Sequence, residues 1–370
     1  MREGWEYKKL GDLCDIYQPK TLATEQLVAD GKYYVYGANG IIGRYNDYNH
    51  EQSEILLTCR GATCGTINIS QPYSWINGNA MVIHRKSEDL SFDFLKYLML
   101  SLDYSLIITG AAQPQITRQK IAPIIVKFPS LSVQQSIVSE LDKINELIRL
   151  KKEQLKDYDH LAQSIFYEMF GDPVVNEKGW EVKKLIETVV LECTISYGIV
   201  QPGDGVEDGI PVVRPIDLTG TFVSTNNLKK TTEKISSSYS RTILTGKELL
   251  VCVRGTTGVC SLVTDELKGC NVTRGITPLL FNDNTDRWFM YYQFQMPQIK
   301  CIIADYTKGI TLKQINMADF RKIPVILPPL PLQQLFAQRI ELIEKQKAEI
   351  QSTIADLETL LASRMQYWFD

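Results

Sequence analysis

Residues 129–135 read PSLSVQQ, and 199 residues later residues 328–334 read PPLPLQQ. A long charged stretch follows each copy, with Ile and Leu recurring at alternating steps of four and three. After the first copy the apolar positions are Ile137, Leu141, Ile144, Ile148, Leu155, Tyr158, Ala162, Ile165 and Met169, with Lys151 in one core slot. After the second they are Phe336, Ile340, Ile343, Ile350, Ile354, Leu357, Leu361 and Trp368, with Lys347 and Arg364 in core slots. That spacing is the seam of a coiled coil over about five heptads. A helix of roughly 38 residues is about 57 Å long, far beyond the usual globular helix. Pro ends a strand, and Val133 or Leu332 opens the helix.

The rest of the chain is doubled in the same order. Gly4-Trp5-Glu6-Tyr7-Lys8-Lys9-Leu10 returns as Gly179-Trp180-Glu181-Val182-Lys183-Lys184-Leu185. Leu56-Leu57-Thr58-Cys59-Arg60-Gly61-Ala62-Thr63 returns as Leu250-Val251-Cys252-Val253-Arg254-Gly255-Thr256-Thr257. Gln115-Ile116-Thr117-Arg118-Gln119-Lys120-Ile121 is matched with Gly309-Ile310-Thr311-Leu312-Lys313-Gln314-Ile315. In the first copy strand-like runs cover 33–36, 55–59, 66–69, 80–84 and 121–128, with a helix over 92–108. In the second they cover 211–214, 249–253, 259–263, 276–281 and 323–327, with a helix over 286–303. The expected fold is therefore α/β (α+β): two tandem units, 1–132 and 173–331, and two long helices, 133–172 and 332–370. Chain order makes the helices an antiparallel coiled coil with a globular unit at each end and approximate two-fold symmetry. The second helix would return Trp368-Phe369-Asp370 towards residues 1–5.

A chain of 370 residues exceeds one ordinary core, in keeping with two units. No apolar run reaches the length of a membrane span, and MREGWEYKKL lacks a signal-peptide core, so a cytoplasmic location is expected. Eight cysteines without a CxxC pair read as free thiols. The three histidines, His50, His84 and His160, have neither zinc-helix spacing nor a nucleophile–base motif. Net charge is −3, divided as 0, −3, +2 and −2 over the four segments. The acid lies in the helices, and a basic face on the larger segments is open but not demanded. There is no Walker A motif, no GxSxG and no Asn/Asp-Pro-Pro-aromatic tetrapeptide. Gly37-Ala38-Asn39-Gly40-Ile41-Ile42-Gly43 lacks GxGxxG spacing and reads as a tight turn between strands. No acidic pair is singled out for acid–base work. An architecture without a catalytic constellation suits a ruler or adaptor.

The doubled order of these motifs, with Tyr36-Gly37-Ala38-Asn39-Gly40-Ile41-Ile42-Gly43 and the Arg-Gly-x-Thr sequences, resembles the specificity (S) subunit of type I restriction–modification enzymes over nearly the whole chain. The glycine-rich octapeptide has no clear twin in the second unit. The resemblance implies that the globular parts are target recognition domains and that the helices are spacers that also bind methylation (M) subunits. It implies a non-catalytic chain that directs two M subunits, and in the full complex two restriction (R) subunits, to an asymmetric bipartite site on double-stranded DNA. It also implies adenine methylation with S-adenosylmethionine held by the partner, and no cofactor on this chain. Two readers on a stiff spacer fit separated half-sites.

Candidate DNA contacts follow from residue type and place. Arg60 and Arg254 each follow an apolar strand and precede Gly, a setting for a phosphate or a guanine edge or for an internal ion pair. Thr63, Thr256 and Thr257 share those loops and suit phosphate donation or turn hydrogen bonding. Gln113, Gln115, Thr117 and Arg118 form one polar loop, and Lys308, Thr311 and Lys313 the matching one. They suit base and backbone contact or an internally satisfied helix start. Arg274 is a further candidate; Asn79 suits a turn, and Tyr45 and Tyr48, near Arg44, suit packing. The M-subunit surface is placed on the exposed helix faces and on Gln134, Gln135, Gln333 and Gln334. Two rivals stand beside this reading: a coiled-coil protein-interaction adaptor that binds no DNA, and an enzyme whose site is not visible.

Overall fold

The computed structural model describes residues 5–110, 113–203, 205–309 and 313–370. It divides into two compact units, Met1–Lys152 with Ser352–Asp370, and Glu153–Gln351. In the first, an antiparallel pair, Glu6–Lys9 with Ile125–Phe128, brings the start of the unit to its end. A four-stranded antiparallel sheet has the order Cys14–Tyr17, Ala80–Arg85, Ile55–Thr58, Ile67–Ile69. A second sheet joins Gly40–Tyr45, Tyr33–Gly37 and Trp75–Ile76. The other unit repeats the plan. Glu181–Lys184 pairs with Pro324–Leu327. One three-stranded sheet joins Cys260–Leu262, Leu249–Cys252 and Ile276–Leu279, and another joins Lys229–Thr231, Ile210–Val213 and Asn271–Val272. The octapeptide is the expected turn, since Tyr33–Gly37 and Gly40–Tyr45 form a hairpin with Gly40 at φ +104.

Two helices come out shorter than expected. The first ends at Ser101, where Leu102 turns extended, so residues 102–108 are not helical. The 286–303 stretch is two helices, Arg287–Gln295 and Pro297–Asp305. Pro297 has no N–H to donate and pushes Met296 into the extended region (ψ 134), which breaks the helix there.

The long helices run Leu131–Phe170 and Leu330–Phe369, each 40 residues and starting two residues ahead of Val133 and Leu332. Their antiparallel course shows inside each unit. In the first, Arg364 near the end of the second helix forks onto Glu140 near the start of the first, with Nη2 3.1 Å from Oε2. Trp368 donates to the same carboxylate at 3.0 Å. In the other unit Lys347 lies 2.8 Å from Asp159 of the first helix and 2.8 Å from Glu344 of its own. Two of the three charged core-slot residues, Lys347 and Arg364, are thus interhelical register pins. The helix ends dock on the globular parts: Trp368 stacks on Trp5 at 6.3 Å, and Phe369 lies against Phe94.

One part of the expected seam is corrected. Towards the end of the first helix the buried residues are Ala162, Phe166 and Phe170, each 0% exposed, while Ile165 and Met169 are only partly buried. The helix has turned by one position to put its rings against Phe289 and Phe336. A globular core accepts larger side chains than a two-helix seam, and aromatic pairs at these distances add to their burial.

The repeated Gln-Gln junction has a structural explanation. Gln134 accepts the N–H of Ser91, the N-cap of the helix Phe92–Ser101, and donates to the carbonyls of Asp89 and Pro129. Gln333 accepts the N–H of Asp286, the N-cap of the helix Arg287–Gln295, and donates to the carbonyls of Asn284 and Pro328. Both are fully buried. This corrects the assignment of Gln134 and Gln333 to a partner surface: their amides are saturated by the chain itself. Gln135 and Gln334, one residue on, are exposed.

Candidate nucleic-acid interface

In each unit two loops that are distant in sequence are hydrogen-bonded side by side. In the first, Arg60 bridges Gln115, Gly61 donates to the Pro114 carbonyl at 3.0 Å, and Ile116 donates to that of Cys59 at 3.0 Å. In the second, Arg254 bridges Gln314, Gly255 donates to the Lys313 carbonyl at 2.8 Å, and Ile315 donates to that of Val253 at 2.9 Å. Gly61 and Gly255 sit at φ +88 and +86, a conformation that favours glycine and turns each loop sharply after its arginine. A second rung matches too: Thr109 bridges Gln115, and Lys308 pairs with Gln314.

These bonds correct the expected alignment of the two copies. Gln115-Ile116-Thr117 corresponds to Gln314-Ile315-Asn316, not to 309–311. Thr117 and Asn316 both stand at the N-cap of a short helix, Arg118–Ile121 and Met317–Phe320. The 199-residue offset is that of the Gln-Gln junctions. Gln314, exposed and equivalent to Gln115, was missed; carrying the junction offset back fifteen to twenty residues would have found it.

Among the predicted residues, Arg60, Thr63, Gln113, Gln115 and Arg118 are exposed in the first unit, and Thr117 is half-buried. In the second, Thr256, Arg274, Lys308 and Lys313 are exposed, and Arg254 and Thr257 are half-buried. Thr311 lies outside the described residues. Arg274 joins the second cluster because Gly275, next to it, accepts the N–H of Val253 at 2.8 Å. Thr257 accepts a hydrogen bond from Thr307 at 3.0 Å, and the Thr256 hydroxyl lies 3.6 Å from the Cys252 sulfur, so both also serve the fold.

Charge pairing separates the arginines. Arg85, Arg149, Arg214 and Arg364 pair with carboxylates, Arg287 and Arg321 with carbonyls, and Arg44 with the Tyr34 hydroxyl and ring. Among the described residues, the arginines with no side-chain partner are Arg60, Arg118, Arg241, Arg254 and Arg274, and Lys308 and Lys313 are likewise outside every ion pair. Arg44, Tyr45 and Tyr48 pack internally, the tyrosines edge-on against Trp75, Tyr33 and Tyr73. Unpaired guanidiniums and ammoniums on adjoining loops form a surface suited to an anion, and neighbouring Gln amides suit base edges.

Among the described residues no group of three His, Cys, Asp or Glu side chains is placed to hold a metal. All eight cysteines are unbridged, and burial pushes the thiols of Cys14 and Cys260 up to about 12, away from nucleophilic use. No helix among the described residues is long and apolar enough to cross a membrane.

The structure is a pair of α/β units with long helices and matched cationic loops. Residues 2–157 and 178–359 match the family described as Type I restriction modification DNA specificity domain. The chain belongs to that family, the non-catalytic specificity subunits of type I restriction–modification systems. It is 22% identical over 328 residues to the type I restriction enzyme EcoBI specificity subunit of Escherichia coli, covering 84% of this chain and 67% of that one. It is 24% identical over 343 residues to the putative type I specificity subunit S.MpnORF507P of Mycoplasma pneumoniae, covering 90% and 87%. Its fold is similar to the type I restriction–modification S subunit from M. genitalium, with TM-score 0.58, 14% identity, and 99% and 96% of the two chains covered. A chain in a solved type I R-M system gives TM-score 0.60 at 19% identity over 99% and 97%.

Proposed function

We propose that each unit reads one half of an asymmetric, bipartite DNA site, with the adjoined Arg60–Gln115 and Arg254–Gln314 loops facing the duplex. The observation that carries this is the repeated backbone pairing that presents unpaired cations in both units. The side chains on the two copies of the loop differ, which suits unlike half-sites. Arg60, Gln113, Gln115, Thr117, Arg118 and Thr63 serve one half; Arg254, Thr256, Thr257, Arg274, Lys308, Lys313 and Thr311 serve the other. Segments 1–132 and 173–331 are the target recognition domains, and 133–172 and 332–370 the spacers.

In this reading the spacers also dock two methylation subunits, through exposed helix faces and Gln135 and Gln334. Those partners hold S-adenosylmethionine and methylate adenine, restriction subunits join in the full complex, and the assembly works in the cytoplasm. Flipping the target base belongs to the methylation subunit; this chain supplies phosphate contacts and base readout. The test is methylation mapping of the host genome with and without this gene, joined to a gel shift with a methylation subunit from the same host. A split adenine motif that vanishes on deletion, and retardation that depends on that motif, are expected. Retention of the whole methylation pattern, or retardation indifferent to sequence, overturns the proposal in favour of a protein adaptor.

A further inference from the structure

Each unit carries an exposed isoleucine in or next to a turn near its cationic loop. In the first, the hairpin turn after Tyr33–Gly37 is fastened to the root of the Arg60 loop: the Thr58 hydroxyl donates to the Ala38 carbonyl, and Asn68 donates to the Asn39 side chain at 3.0 Å. Ile41 follows at 51% exposure. In the second, Ile210–Val213 leads into a single helical turn, Pro215–Asp217, closed by Arg214 on Asp217 at 2.8 Å. The Pro215 ring lies 2.8 Å from where a Cβ on Gly275 would stand, and the Arg254 carbonyl 3.7 Å from the same point. Ile216, the middle residue of that turn, is 73% exposed.

The two turns differ in sequence and conformation, yet both leave the strand equivalent to Tyr33–Gly37, lie near the arginine loop and carry or precede an exposed isoleucine: Ile216 is the middle residue of its turn, and Ile41, with Ile42 beside it at 48% exposure, stands in the returning strand Gly40–Tyr45. Exposed apolar side chains scattered over a surface need no account. A repeated one beside unpaired cations, held by hydrogen bonds or an ion pair that limit its freedom, suits contact with a polyanion carrying an apolar group. In the grooves of a duplex that group is the C5-methyl of thymine, on the major-groove edge.

We infer that Ile41 and Ile216 are specificity-determining residues that pack on a thymine methyl, one in each half-site. The inference rests on the proposed DNA reading and deepens it. Arginine and glutamine recognise hydrogen-bonding edges; the isoleucines add recognition of the methyl group, which hydrogen bonds cannot register.

The test uses the full chain assembled with a methylation subunit from the same host. A binding duplex is first selected from random sequence, and each thymine is then replaced singly by deoxyuridine, which removes only the methyl. For the unaltered complex, one replacement in each half-site should weaken binding about fourfold, the factor expected for one buried methyl-sized group. Ile41→Ala should abolish that sensitivity in one half and Ile216→Ala in the other, while Ile41→Val and Ile216→Val retain it. Full sensitivity in the alanine variants, or no sensitive thymine in either half, overturns the inference and leaves the DNA reading standing. Failure to select any duplex overturns the DNA reading itself.

Discussion

The backbone N–H of Ser91 donates to Oε1 of Gln134 at 2.8 Å, and 199 residues on the N–H of Asp286 donates to Oε1 of Gln333 at the same 2.8 Å. One amide at the root of each long helix thus ties down the N-cap of another helix in the same unit. Its Nε2 donates to two carbonyls, one of which, that of Pro129 or Pro328, is on a buried residue and would otherwise lose its partner. Replacing Gln134 or Gln333 by Ala should destabilise the unit concerned by about 3 kcal/mol, from several buried groups left unsatisfied. Gln135→Ala and Gln334→Ala should be nearly neutral for stability. Urea unfolding followed by tryptophan fluorescence checks the contrast; equal effects within each pair would refute it.

Arg60 and Arg254 make no internal ion pair, so their removal should cost the fold little. If each meets a phosphate, Arg60→Ala or Arg254→Ala should lower the slope of log K against log salt by about one and weaken all sequences alike. If either reads a guanine edge, its variant should lose about 1–3 kcal/mol on the specific site and tolerate base changes at one position. Binding of the assembled complex to specific and random duplexes over a salt series distinguishes the two. Unchanged binding in both variants would remove the loops from the interface.

Lys347 sits at 12% side-chain exposure between Glu344, at 10%, and Asp159. Burial opposes its charge, but hydrogen bonds to Asp159 and Glu344 outweigh that and hold its pKa above the ordinary lysine value. Tyr292 donates to the same Glu344 carboxylate at 3.0 Å. Lys347→Met should therefore cost about 3 kcal/mol, because it strands a buried carboxylate. The double variant Lys347→Met with Glu344→Gln should recover most of it. Thermal unfolding of the three proteins provides the readout, and a double variant no better than the single would rule out this account.

Glu140 is held below the usual glutamate range, first by its hydrogen bond from Arg364 and then by that from Trp368. A carboxyl whose folded pKa is depressed contributes stability above its unfolded pKa and loses it as pH falls through the folded value. The fork between Glu140 and Arg364 should thus weaken only in acid, below the ordinary glutamate range. Glu140→Gln should flatten the acid limb of the stability curve and leave the stability difference constant from neutral to mildly basic pH. Stability profiles from pH 3 to 8 test this; an unaltered acid limb in the variant would assign it to other carboxylates.

The long helices, their antiparallel course, the two α/β units and the family were all legible in the chain. Helical seams and tandem repeats are one-dimensional signals, carried by residue spacing and by order. What failed lay where a side chain answered to a distant neighbour. The Gly309–Ile315 match to Gln115–Ile121 was off by five positions because short polar motifs are degenerate; the Arg254–Gln314 pairing restores the register, which is also the 199-residue offset of the Gln-Gln junctions. Phe166 and Phe170 were passed over because their choice of face depends on Phe289 and Phe336, more than 100 residues away.

By itself, then, the sequence determined that there are two related units, that a long helix closes each, and that Pro-x-Leu-x-x-Gln-Gln marks each junction. Only the tertiary structure decided that the first glutamine of each pair is an internal brace, that Lys347 and Arg364 pin the helix register, and that the cationic loops adjoin. The physical reason is range. Helical periodicity is imposed by each residue's own backbone geometry, whereas hydrogen-bond satisfaction and ion pairing are settled by whichever partner folding brings within about 3 Å.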